Sequence, residues 1–256
     1  MTFPILDGKV AIITGAAMGM GKEAAILFAE AKAKVVVADI NEKLGNEVVD
    51  QIRASGGEAT FIHTDVSDSA AVQAMVQHAV DTFGRLDVAV NNAAIQPDND
   101  PLVDFDEAYW DRLMSVDLKG QALCCKYEIR QLLAQGGGGS IINISSVSGF
   151  RPQPHNVAYV AAKHGVIGLT KVAALEHGKD GIRVNAVAPG AIDTPMLQSA
   201  LHDAGIDPKE FAPALSLLGR FATGREIAQA CLWLASDLSS YVTATCIDVD
   251  AGYTNR

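Results

Sequence analysis

The run Val10-Ala-Ile-Ile-Thr14-Gly15-Ala-Ala-Met18-Gly19-Met20-Gly21-Lys22 decides the fold. Its first five residues read as a strand covered on both faces, because four of them are apolar without alternation. Glycines spaced four and two apart then turn the chain directly into a stretch with helical patterning. The alternation repeats outward from this unit. Short apolar, β-branched runs at 35–38, 60–64, 86–90, 140–144, 183–187 and 246–249 predict further strands. Longer stretches at about 22–33, 69–83, 106–134, 157–177 and 225–235 predict helices between them. Repeated strand–helix alternation gives an α/β fold, a doubly wound parallel sheet of about seven strands with helices on both faces. Such sheets hold ligands at the carboxyl ends of their strands.

No composition break or internal repeat divides the 256 residues, so one domain spanning 1–256 is expected. A content of 49% hydrophobic and 20% charged residues excludes a disordered chain. The net charge of −10 argues against nucleic acid or an anionic membrane surface as partner. Nowhere do 18 apolar residues run together, and Met1-Thr-Phe-Pro-Ile-Leu-Asp7 lacks the features of a signal peptide. Cys124, Cys125, Cys231 and Cys246 show neither disulfide nor zinc spacing. A soluble, cytoplasmic protein is expected. The glycines at 136–139 read as a connector rather than a phosphate loop. Residues 193–216 depart from the alternation, and prolines at 208 and 213 break any long helix there. A long apolar excursion at the strand ends reads as a substrate lid.

The glycine loop lets the backbone approach a pyrophosphate at a helix amino terminus. Gly15, Met18, Gly19, Met20 and Gly21 are therefore candidate cofactor contacts. Eighteen residues past Gly21, Asp39 ends a predicted strand, followed by Ile40. An acid there accepts hydrogen bonds from ribose hydroxyls and repels a 2′-phosphate, and no Arg or Lys in the loop offsets it. NAD is the cofactor this implies. Asp65 and Val66 are placed to frame the adenine edge, and Asn91 and Ala93 stand at the end of the fourth strand. Tyr159 and Lys163, four residues apart, share one face of a helix. The phenol alone is a poor base, its ordinary pKa being about 10. A neighbouring ammonium and the positive charge of an oxidised nicotinamide both favour phenolate. Tyr159 is thereby a candidate acid/base. Ser146, 13 residues upstream, is placed to hold the same substrate oxygen. Gln96 and His155 are further candidates to face the substrate. The six histidines show no metal-ligand spacing, so no metal is expected.

Thr14-Gly-x-x-x-Gly-x-Gly21, Asn91-Asn-Ala-Ala94, Ser146, Tyr159-x-x-x-Lys163 and Pro189-Gly190 followed by Thr194 are together highly specific. On these motifs the whole chain resembles the short-chain dehydrogenase/reductase family. The resemblance implies a Rossmann-type fold, a homotetramer, and hydride transfer between a nicotinamide and a secondary alcohol or ketone. It makes Tyr159 the acid/base, Ser146 the anchor of the substrate oxygen, and Lys163 the holder of the nicotinamide ribose. Pro189, Ile192 and Thr194 match positions gripping the carboxamide end of the cofactor. Two residues depart from the family pattern. Ala94 stands where the family has Gly, and Asp117 stands at the fourth catalytic position, usually Asn, adding a negative charge near Lys163. An enoyl reductase is disfavoured, since such enzymes of the family space Tyr and Lys further apart. A catalytically idle NAD(H) sensor or scaffold is the alternative, and a methyltransferase leaves the Tyr–Lys pair unexplained.

Overall fold

Every residue of Val10–Thr14 is buried, as a strand sandwiched between two helical layers requires. The computed structural model describes residues 5–203 and 205–255, without the side chains of Met196, Ala200 and Asp203. The described strands are β1 (Val10–Thr14), β2 (Lys34–Asp39), β3 (Glu58–His63), β4 (Val88–Asn91), β5 (Gly139–Ile144), β6 (Ile182–Pro189) and β7 (Cys246–Val249). They form one parallel sheet in the order β3-β2-β1-β4-β5-β6-β7. The helices are α1 (Gly19–Glu30), α2 (Glu42–Ala54), α3 (Ser69–Phe83), α4 (Glu107–Leu113), α5 (Gln121–Gln135), α6 (Val157–His177), α7 (Pro195–Asp203), α8 (Pro208–Leu215) and α9 (Gly224–Ala235).

Strand side chains alternate between two cores. Ala11, Ile13, Val35, Val37 and Ile142 pack toward α1, α2 and α9. Val10, Ile12, Val36 and Ile141 pack toward α3, α5 and α6. The strand order reverses between β1 and β4, so the loops leaving their carboxyl ends part and open a crevice.

Three expectations need correction. Helix α2 was not among the predicted helices; only Gly45, Val48, Val49 and Ile52 of its 13 residues are buried, and Gly45 reads as a breaker. That glycine is required by packing, because a Cβ there would lie 2.2 Å from the Phe61 ring. The expected helix at 106–134 is instead α4, a wide π-helical turn Met114–Gly120, and α5. Helix α1 begins at Gly19, inside the glycine loop, rather than at 22. Smaller shifts affect β3 and β4, which begin at Glu58 and Val88. In 193–216, Pro208 opens α8 at its first turn, where its missing N–H costs nothing.

Candidate active site

The crevice is a cleft of 1240 Å³ reaching from the ends of β2 and β3, over the glycine loop, to α6. Its lining contains Gly15, Met18, Gly19, Met20, Gly21, Asp39, Ile40, Asp65, Val66, Ala93, Gln96, Ser146, Tyr159, Lys163, Pro189, Ile192 and Thr194. Candidates scattered over 180 residues of sequence thus converge on one surface.

The glycine loop fits a dinucleotide on sterics and on hydrogen bonding. A Cβ at Gly21 would stand 2.1 Å from the Gly15 carbonyl oxygen, so no side chain is tolerated where the helix passes under the loop. Gly15 has φ +64°, and a Cβ there would meet Ala93 at 2.9 Å. Helix α1 has neither a side-chain cap nor an acidic residue in its first turn, which leaves amino-terminal N–H groups for an anionic ligand. Asp39 accepts the Ala17 N–H through Oδ2 at 2.9 Å and the Asn41 N–H through Oδ1 at 2.8 Å. The carboxylate therefore ties the loop to the end of β2 while lining the cleft. The lining residues that follow it, Ile40 and Asn41, carry no charge.

At the other end of the cleft, β5 delivers two serines with different duties. Ser145 Oγ donates to the Lys163 carbonyl at 2.9 Å, which attaches α6 to the sheet. Ser146, 8% exposed, accepts the nearby Ser148 N–H at 3.1 Å and faces the cleft. Tyr159 sits in the first turn of α6, half-buried, with the Lys163 ammonium 5.2 Å from its ring centroid. Lys163 is 1% exposed. Its Nζ pairs with Asp117 Oδ2 at 3.2 Å and donates to the Ile144 carbonyl at 3.3 Å. The π-helical turn aims Asp117 inward at Lys163, and Asp117 Oδ1 accepts the Ile95 N–H at 2.9 Å. Burial raises Asp117 above the ordinary carboxylate range against the pull of Lys163. Burial also opposes the Lys163 ammonium, but Asp117 and Tyr159 outweigh it and hold Lys163 above its ordinary value.

Three candidates lie outside the lining: Asp117, fully buried against Lys163, together with His155 and Asn91. His155 is exposed, with φ +69°, and its neighbours Gln153 and Asn156 reach the cleft in its place. Asn91 is 1% exposed and turned into the interior, where its Nδ2 donates to Glu128 Oε2 and Asn143 Oδ1, both at 3.0 Å. Asn91 closes β4 within the sheet, whereas Ala93 lies beyond the end of the strand, where the chain reaches the cleft. The network around Asn91 has a measurable consequence. Complete burial pushes the Glu128 carboxyl up to about 8 from 4.5, against the Asn91 hydrogen bond. The folded state then binds this proton more tightly than the unfolded chain, and its stabilisation is full below about pH 4.5 and lost progressively up to about pH 8. Glu128→Gln is expected to abolish that decline and to be more stable than the parent at pH 8.5, by an amount on the order of 5 kcal/mol at most. Urea unfolding of both proteins at pH 6 and 8.5 reads it; parallel pH dependences would contradict it.

Asp98, Gln153 and Asn156 line the cleft and were not predicted from sequence. Nothing local marks Asp98, whose carboxylate meets the main chain 60 and 61 residues away.

A glycine-loop cleft ending on a Tyr–Lys pair defines an oxidoreductase that works with a nicotinamide nucleotide. A family model described as enoyl-(acyl carrier protein) reductase matches residues 15–254. A short chain dehydrogenase/reductase of Aspergillus oryzae is 51% identical over 96% of this chain and 95% of its own length. A 2,5-dichloro-2,5-cyclohexadiene-1,4-diol dehydrogenase of Sphingobium indicum is 43% identical over 97% of this chain and 98% of its own. The crystal structure of a levodione reductase superposes with a TM-score of 0.90 at 35% identity, covering 97% of this chain and 98% of that one. The chain belongs to the short-chain dehydrogenase/reductase family.

Proposed function

We propose that this protein is an NAD(H)-dependent oxidoreductase interconverting a secondary alcohol, preferably on a small ring, with its ketone. The observation that carries the reading is the convergence of Ser146, Tyr159 and Lys163 at one end of a cleft whose other end holds the glycine loop and Asp39. A bound nicotinamide supplies the hydride acceptor or donor. Ser146 Oγ holds the substrate oxygen, and the Tyr159 hydroxyl exchanges a proton with that oxygen. Lys163 keeps positive charge beside the phenol and would hold the nicotinamide ribose through its ammonium, while Asp117 anchors it from behind.

Asp39 supports NAD over NADP, since a 2′-phosphate beside it would meet a carboxylate with uncharged neighbours. NADH fluorescence titration is expected to give tighter binding than NADPH, and Asp39→Ala is expected to weaken NADH by about tenfold and narrow the difference, as loss of a charged hydrogen-bond acceptor would. Equal affinity of the parent protein for both would defeat the assignment.

A smaller cavity of 170 Å³ adjoins Ser146 and Tyr159, walled by Gln153, Leu197, Leu215 and Tyr253. An enclosed apolar cavity of about 150 Å³ admits benzene; this recess is half-open and partly polar but of similar volume, which supports a substrate the size of a single six-membered ring. The relative named for a cyclohexadiene diol supports the same class. Helices α7 and α8 contribute Leu197, Leu201, Phe211 and Leu215 to the cleft, and Ile206 joins them from between the two helices, which supports the segment 193–216 as a substrate lid on a single domain spanning 1–256. Exposed Val172, Leu175, Leu238 and Tyr241 are surfaces a homotetramer would cover. The four cysteines stand as free thiols, which supports a reducing compartment such as the cytoplasm. Among the described residues no helix is long and apolar enough to cross a membrane. Oxidation of a ring alcohol with NAD⁺ tests the reading as a whole. An idle sensor would bind NADH and turn over nothing.

A further inference from the structure

Helix α6 carries Tyr159 in its first turn, yet it begins without a cap of its own. Asn156 makes no side-chain hydrogen bond to that turn, and the turn holds no acidic residue. The orphan donors are met from a distant segment instead. Asp98 Oδ2 accepts the Ala158 N–H and Oδ1 accepts the Tyr159 N–H, both at 3.0 Å. The Asp98 carbonyl also accepts the Asn156 side-chain amide, and the residue is 7% exposed. A carboxylate at this end of a helix is favoured by the helix dipole as well as by the hydrogen bonds.

The segment that holds Asp98 is tied at its other end to the second member of the pair. The Ile95 N–H donates to Asp117 Oδ1, and Asp117 Oδ2 pairs with Lys163. Residues 95–98 therefore form a strap, with Asp98 holding the main chain of Tyr159 and Asp117 joining it to the side chain of Lys163. Between these anchors the strap presents Gln96 and Pro97 to the cleft.

We infer that Asp98 is a positioning residue for the reaction: by capping α6 from the cleft wall, it fixes the Tyr159 hydroxyl relative to Ser146 and Lys163. The first turn of a helix frays when its N–H groups lack partners, and Tyr159 lies in that turn. A proton carrier that wanders by about 1 Å loses on the order of 10²-fold in rate. The glycine loop and Asp39 stand on α1 and β2, and Lys163, one turn further along α6, is held by Asp117 and the Ile144 carbonyl, so cofactor binding does not depend on this cap. The inference rests on Tyr159 carrying the proton.

The test compares Asp98→Ala and Asp98→Asn in the full chain. The readouts are steady-state oxidation of a ring alcohol with NAD⁺, NADH fluorescence titration, and amide hydrogen exchange at Ala158 and Tyr159. Asp98→Ala is expected to lower kcat about 10²-fold with unchanged NADH affinity, and to speed exchange at the two amides. Asp98→Asn keeps an acceptor and is expected to recover most of both losses. Parental kcat in Asp98→Ala would overturn the inference. So would a joint loss of kcat, NADH affinity and melting temperature that Asn does not rescue, since that pattern belongs to a purely structural cap. The exchange measurement separates this inference from the functional reading. If the parent protein oxidises nothing, the functional reading fails, whereas unchanged exchange in Asp98→Ala overturns the cap itself.

Discussion

Tyr159→Phe is expected to lower kcat by about 10³-fold while NADH affinity and melting temperature stay at parental values. The substitution removes one oxygen and little else. The main-chain N–H of residue 159 remains held by Asp98, and Lys163 remains held by Asp117 and the Ile144 carbonyl. The helix and the cofactor end of the cleft are therefore undisturbed. What disappears is the group that exchanges a proton with the substrate oxygen, and a positioned acid/base is worth about 10²–10⁴ in rate. Steady-state kinetics with NAD⁺ beside an NADH titration separates the two effects. Loss of turnover together with NADH binding would mean that the hydroxyl organises the cleft rather than the chemistry. Full turnover in the variant would remove Tyr159 from the acid/base role.

The second large effect is expected at Lys163. Lys163→Met eliminates the ammonium but leaves Asp117, fully buried, without its counter-charge. Breaking a buried ion pair from one side costs about 3–5 kcal/mol, which for a chain of this size corresponds to roughly 10 °C in melting temperature. Removing both charges in Lys163→Met/Asp117→Asn is expected to restore most of the stability and none of the activity. Asp117→Asn alone is expected to keep turnover comparable to the parent, since Lys163 retains the Ile144 carbonyl and an amide oxygen as acceptors. Thermal unfolding of the three variants beside their kinetics decides the matter. A Lys163→Met protein that melts like the parent would contradict the pairing, and a large loss of turnover in Asp117→Asn would show that the carboxylate itself is needed.

The parts of the molecule legible in its sequence are those whose cause is local. Residues 10–14 read as a doubly covered strand because four of the five are apolar without alternation, and all five are buried; α6 read correctly from end to end because its buried positions recur at helical spacing. That the glycine loop, Asp39, Ser146, Tyr159 and Lys163 line one cleft was legible for the same reason, each being set by a spacing within one strand–loop–helix unit. Elements shaped by distant packing were not. Gly45 looks like a helix breaker until the Phe61 ring that demands it is in view. The π-helical turn keeps an apolar pattern that a continuous helix would also give, so the placement of Asp117 beside Lys163 was legible through the family resemblance and not through local spacing. The interior network of Asn91 had no local signal, because its partners, Glu128 and Asn143, lie 37 and 52 residues away. Asp98 follows the same rule, since it holds α6 from a loop that only the fold brings there.

The most direct test is NADH formation from NAD⁺ by the parent protein across a panel of six-membered-ring secondary alcohols, open-chain secondary alcohols and polyols, followed at 340 nm. Turnover that is highest with the ring alcohols, absent with NADP⁺ and abolished in Tyr159→Phe is the predicted result. NADH binding with no turnover of any alcohol, or of the matching ketones in reverse, would contradict the account and return the protein to the class of idle nucleotide sensors.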